Sequence, residues 1–246
     1  MVRYLEHVIV ILVLTFPLIC IAQNEIEDPF GINELPAINA ADKTAELLAK
    51  DKRSSIVVIT QEGRQGKISG TGTGFVISED GLIATCAHVI GESRPITVRF
   101  ANGKEYEVKE IFAWDRKLDL AILKIEEKDL IALDLAKANT AKQGAEVIAM
   151  GNPQGLEFSV VRGIISGLRE IDGSSLIQIA IPIEPGNSGG PLMDRKGNVH
   201  GILNMKSAIT ENLGFAIPVE GLMRLLEKPN KIAIKNWLTI GQLNPA

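Results

Sequence analysis

From Ser54 onward the chain is a succession of short apolar runs, each closed by a turn signal, with no long helical stretch between them. "SIVVIT", "GFVIS", "LIATC", "ITVRF", "DLAILKI", "EVIAM", "SLIQIAI" and "LGFAIP" are rich in β-branched residues, as strands are. "EDG", "ANG", "GNPQG", "IDG" and "DRKG" punctuate them, and Gly, Asn and Asp supply the backbone angles that tight turns need. About a dozen such runs without crossover helices exclude a doubly wound parallel sheet and predict an all-β sandwich or barrel architecture. Helix is expected in a short N-terminal segment, "ADKTAELLAKDK" (41–52), in a C-terminal one, "VEGLMRLLEK", after Pro218, and as a brief turn into helix at His88. Residues 127–145 are less strand-like, which places a junction between two β lobes there.

The first 22 residues stand apart. Arg3 precedes an apolar run from Val8 to Ala22, and Cys20 and Ala22 put small residues three and one before a cut, the pattern of a secretory signal. The run falls short of the ~20 residues a membrane-spanning helix needs, and Pro17 interrupts it. Cleavage and export to the periplasm or the extracellular space are expected, with membrane anchorage through residues 1–22 as the other reading. Cleavage would leave Cys86 as the sole cysteine, so no internal disulfide is expected; a chain of 246 residues can bury enough core without one. Residues 23–53 read as a lead-in with its short helix, and 229–246 as a tail. A formal net charge of −4 and the absence of basic clusters exclude nucleic acid as an expected partner.

The chemistry centres on "EPGNSGGPL" (184–192), which by composition alone is a turn. It contains Ser188, and a serine hydroxyl becomes a useful nucleophile only beside a base, most often histidine. Three histidines are available. His7 lies in the leader and His200, in "GNVHGI", reads as a surface or half-buried strand residue, which leaves His88 in "LIATCAHVIG". A carboxylate to orient the imidazole is offered by Asp119, which leads the apolar strand "LDLAILKI"; Asp80 and Asp115 are rivals in polar turns. The amides of Gly186 and Ser188 are candidates for an oxyanion hole, and Gly189-Gly190 are expected to admit a substrate backbone. Cys86, in an apolar run, is expected to be an inert buried thiol. The histidine and cysteine spacings offer no metal ligand set, and no cofactor is implied.

Four separated segments, in order, resemble the HtrA/Deg branch of the chymotrypsin-fold serine proteases: "GTGTGFVISEDGLIATCAHVI", "LDLAILKI", "EPGNSGGPLMDRKGNVHGI" and "LGFAIPVEGL". The similarity runs from about Ser54 to Lys228. It implies two perpendicular six-stranded β-barrels with His88, Asp119 and Ser188 as a catalytic triad in the cleft between them. It also implies Gly186 and Ser188 as the oxyanion residues, polypeptide substrates and an acyl-enzyme mechanism. Asn187 stands where zymogen-type relatives place an aspartate, so activation by a newly cut amino terminus is not expected. Ala180 replaces another aspartate of the branch. Pro182, six before the serine, replaces the acid that selects Lys or Arg. On the family alignment Ile183, Met205, Lys206 and Ser207 would line the primary pocket, favouring small or medium apolar side chains. The branch also implies a homotrimer built through the N-terminal segment that holds Phe30. Residues 229–246 are too few for the PDZ domain usual in the branch, so none is expected within this chain. The rival reading is a catalytically silent homologue that binds unfolded chains.

Overall fold

Seven strands precede the 125–145 segment: β1 (Ile56–Glu62), β2 (Ile68–Ser78), β3 (Leu82–Cys86), β4 (Ile96–Phe100), β5 (Glu105–Glu107), β6 (Glu110–Asp115) and β7 (Leu120–Lys124). Six follow it: β8 (Glu146–Gly151), β9 (Ser159–Ile171), β10 (Ser174–Ile179), β11 (Pro191–Met193), β12 (Val199–Lys206) and β13 (Gly214–Pro218). A last short strand, β14 (Ile232–Ala233), returns to the first group. Among the described residues, helix forms at α1 (Ala45–Lys52), α2 (Ala87–Ile90) and α3 (Val219–Glu227), and residues 234–237 are helical as well. These elements come from a computed structural model that describes residues 43–62, 68–91, 95–171, 173–206 and 213–237. The leader (1–22), the lead-in around Phe30, Ser207 and residues 238–246 lie outside the described residues.

The apolar pattern explains the layering. β4 alternates buried and half-exposed side chains, as a strand with one face on a core must. β3 is buried along its whole length because β2 and β7 flank it and both of its faces are covered. The first lobe has the strand order β14-β6-β7-β3-β2-β1-β4-β5, and the second is a closed barrel of β10-β13-β12-β11-β8-β9. The double-barrel plan therefore holds, with one difference in the first lobe. That lobe is a curled eight-stranded sheet rather than a ring of six, because the free edge of β6 pairs with β14 (Ile232 opposite Ile111) instead of closing on β5.

The expected N- and C-terminal helices are both present. Thr44 caps α1 by accepting the Leu47 amide, and Leu48 is its buried residue. α3 buries Val219, Leu222 and Leu225; full burial of one such leucine is worth about 2 kcal/mol. A Cβ on Gly221 would lie 2.8 Å from the Leu120 side chain, so glycine lets α3 sit close to β7. One apolar cluster fills the first lobe and continues through Met193, Val199, Ile202 and Ile217 of the second. The interior of the closed barrel holds another, with Val147, Ile165, Ile179 and Leu203. Among the described residues no helix is long and apolar enough to cross a membrane.

Candidate active site

β3 delivers His88. The strand runs to Cys86, still extended, and the chain then winds into the single turn of α2, so that the buried strand ends in an exposed imidazole (49% exposed). β7 delivers Asp119 from a tight turn: the Asp119 amide donates to the Arg116 carbonyl, and Asp115 accepts the Leu118 amide. Asp119 has a φ of +56°, a left-handed conformation that aspartate tolerates better than most residues but that still carries strain. The strain is offset by what it allows. The Asp119 carbonyl accepts the Ala87 amide (3.0 Å), one carboxylate oxygen accepts the His88 amide (2.8 Å), and the other lies 2.5 Å from His88 Nδ1. An ionised carboxylate only accepts hydrogen bonds, so Nδ1 carries the proton and Nε2 is left as the basic nitrogen.

The second barrel supplies the serine. Residues 184–187 form a turn closed by the Asn187 amide on the Glu184 carbonyl (3.0 Å), with Pro185 and Gly186 at its centre and Gly186 at a φ of +102°. Proline followed by a residue of positive φ is the type II pattern, which glycine satisfies without steric cost. Among the described residues neither the Gly186 nor the Ser188 amide donates to a backbone carbonyl. Ser188 is half-buried, and its hydroxyl donates to the Asn204 carbonyl at 2.7 Å. Asn204 is the bulged residue of β12, skipped between the pairs Leu203–Ala216 and Met205–Phe215. No hydrogen bond joins Ser188 to His88 among the described residues. The structure thus couples His88 to Asp119 and parks Ser188 on another acceptor.

Cys86 is buried, and its thiol donates to the Leu203 carbonyl at 3.3 Å. Burial and then the nearby Asp119 charge push this thiol well above its ordinary pKa. Cys86, His88 and Asp119 offer three donor atoms within 4.8 Å of one another, geometrically close enough for a metal ion. A thiol kept protonated is a poor ligand, and the Asp119 carboxylate is already engaged by His88, so this set does not fit a metal centre. The two rival acids have partners of their own. Asp80 pairs with Lys124 (2.9 Å), and the Asp115 carboxylate holds its own turn. His200 is paired with Asp194 (3.2 Å), a partner that its sequence context did not suggest.

The fold alters several of these expectations. Gly189 and Gly190 do not make room for a substrate. A Cβ on Gly189 would lie 2.1 Å from the Thr73 carbonyl oxygen and 2.3 Å from Thr85 Oγ1, and one on Gly190 would lie 2.3 Å from the Met150 carbonyl oxygen. The space is filled by protein, and the glycines let the loop pack between the lobes. Of the residues expected at the primary pocket, Ile183 is 2% exposed and packs in the closed-barrel core. Met205 and Lys206 lie on β12, with only their backbone described, and Ser207 falls outside the described residues. Pro182 is exposed. Sequence reasoning missed Thr73, Thr85 and Asn152, all wholly buried polar residues around the serine loop. The only hint was a threonine between glycines in "GTGTGF" at the start of an apolar strand.

Comparison with known proteins gives a consistent result. Residues 72–202 match the family described as the trypsin-like peptidase domain. A probable periplasmic serine endoprotease, DegP-like, of Ectopseudomonas mendocina is 38% identical over 187 residues, which is 72% of this chain and 39% of that protein. The chain therefore spans about two fifths of the length of this curated relative. The serine endoprotease from Yersinia pestis superposes with a TM-score of 0.69 at 31% identity, covering 76% of this chain and 66% of that one. The active form of the Rv3671c protease from M. tuberculosis gives 0.68 at 28% identity, covering 78% and 89%.

Proposed function

The chain belongs to the trypsin-like peptidase family, and from that premise we propose that it is a serine endopeptidase of HtrA/Deg type with Ser188 as nucleophile, His88 as base and Asp119 as its orienting acid. The observation that carries the reading is the double engagement of His88 by one carboxylate, through its main chain and through Nδ1. That arrangement fixes both the tautomer and the ring orientation a general base requires.

The chemistry is acyl transfer in two steps. Ser188 rotates off the Asn204 carbonyl and its oxygen attacks a peptide carbonyl carbon while its proton passes to His88 Nε2. The Gly186 and Ser188 amides hold the negative oxygen of the tetrahedral intermediate. His88 gives the proton to the leaving amine, the C–N bond breaks, and water opens the acyl-enzyme by the same route. The substrate class is polypeptide. Exported proteins are the proposed physiological substrates, in keeping with the relative named a periplasmic endoprotease and with the apolar leader. The HtrA/Deg resemblance implies that they are cut when unfolded or damaged. Pro182 in place of an acid argues against selection of Lys or Arg at the primary site.

One observation favours a second reading, a silent homologue that only holds unfolded chains: the Ser188 hydroxyl is occupied by Asn204. Labelling with a fluorophosphonate separates the two, run with a Ser188→Ala control and beside degradation of unfolded casein. The protease reading expects Ser188-dependent labelling and cleavage. Cleavage that survives Ser188→Ala, or a protein that binds casein without labelling or cutting it, would overturn it.

A further inference from the structure

Thr73 lies inside β2, wholly buried, at the point where the first lobe meets the serine loop of the second. The direction of its hydroxyl is forced. Asn152 aims two N–H groups at Thr73 Oγ1, one from the main chain and one from the side-chain amide, both at 3.0 Å. A hydroxyl has one proton and two lone pairs. With both lone pairs taken, the proton goes to the Gly186 carbonyl, 2.6 Å away. Asn152 is itself oriented, because its Oδ1 accepts the Phe158 amide at 2.8 Å and its Nδ2 also reaches the Val57 carbonyl at 3.2 Å.

The consequence falls on alternating peptide planes of the loop. The Gly186–Asn187 plane is held at both ends: its N–H by the Glu184 carbonyl and its C=O by the Thr73 hydroxyl. The Ser188–Gly189 plane is held likewise, its C=O by the Thr73 amide (2.9 Å) and its N–H by the Leu203 carbonyl (2.7 Å). The Asn187–Ser188 plane, which carries the Ser188 amide, lies between these two, and the Pro185–Gly186 plane, which carries the Gly186 amide, adjoins the first. We propose that Thr73, oriented by Asn152, is the positioning residue that sets the oxyanion hole by clamping the serine loop across the lobe interface. The proposal rests on Ser188 being the nucleophile. Thr73 touches neither substrate nor reacting atoms and acts through Gly186 and Ser188.

The test compares wild type, Thr73→Val, Thr73→Ser and Asn152→Ala for peptide hydrolysis, affinity for a peptide boronate and thermal unfolding. Loss of a direct oxyanion donor costs ~10²–10³ in kcat, so loss of a support behind it is expected to cost about 10- to 100-fold in Thr73→Val. KM is expected to stay within about twofold, because the amides engage charge that develops only in the transition state. Boronate affinity should fall by the same factor as kcat, Thr73→Ser should stay close to wild type in both, and Asn152→Ala should fall between. If Thr73→Val does not fold, Asn152→Ala and Thr73→Ser carry the comparison. Folded variants that keep both kcat and boronate affinity would overturn the proposal, as would a loss confined to KM or one matching only the unfolded fraction. A wild-type protein that neither cleaves nor labels would instead overturn the functional reading, and the proposal with it.

Discussion

Asp119 does more from one position than its sequence context suggests. Its left-handed backbone lets the carbonyl tie down Ala87 while the carboxylate holds both His88 N–H groups, so it shapes the turn into α2 and orients the imidazole at once. Asp119→Asn tests the second role with little cost to the first, since asparagine also tolerates a positive φ. The amide can hold the imidazole in the wrong tautomer, and kcat is expected to fall by ~10⁴. Peptide hydrolysis measured beside circular dichroism checks this, and an unchanged kcat in a folded variant would remove Asp119 from the mechanism. At this scale the sequence was legible where the residue type is scarce. With three histidines the proposed base, His88, could be reached by elimination. Thr73 could not, because a threonine in a β run is ordinary until its neighbours in space are known.

The β11–β12 hairpin shows what a single element adds. "DRKGN" reads as a turn, and it is one, but Asp194 organises it: one oxygen accepts the Lys196 and Asn198 amides, and the other accepts Asn198 Nδ2 and faces His200 Nε2. Burial by itself would raise the Asp194 carboxyl. The hydrogen bonds from His200, Asn198 and the Lys196 amide more than offset it and hold the group well below the usual carboxylate range. A carboxyl depressed on folding contributes stability that is present above its unfolded pKa and lost as pH falls toward its folded one. Asp194→Asn is therefore expected to lower Tm at neutral pH, with the gap to wild type closing as pH drops below about 4. Thermal melts across that range measure it, and a gap independent of pH would show that the charge on Asp194 is not what stabilises the hairpin. The hairpin itself was readable from its turn residues, whereas the His200–Asp194 pair depends on the register of β12.

Across the whole molecule the two lobes are not independent bodies. The larger apolar cluster runs from the first lobe into β11, β12 and β13, and Asn152 and Thr73 bridge the lobes through buried hydrogen bonds. Denaturation is accordingly expected as one cooperative transition, followed by tryptophan fluorescence and far-UV circular dichroism together. Two resolved transitions would mean that the lobes fold separately and that the shared core contributes little to holding them together. The sequence by itself determined the all-β class, the N- and C-terminal helices and the absence of long crossover helices, because periodicity and turn residues are local properties. Its motif order pointed to the three residues proposed as a triad. Only the tertiary structure decided that the first lobe stays an open curled sheet, that Gly189 and Gly190 pack against protein, that Ile183 is core, and that Ser188 rests on Asn204. Each of those depends on which distant backbone atoms come within a few ångströms, and strand pairing across long stretches of sequence sets that proximity.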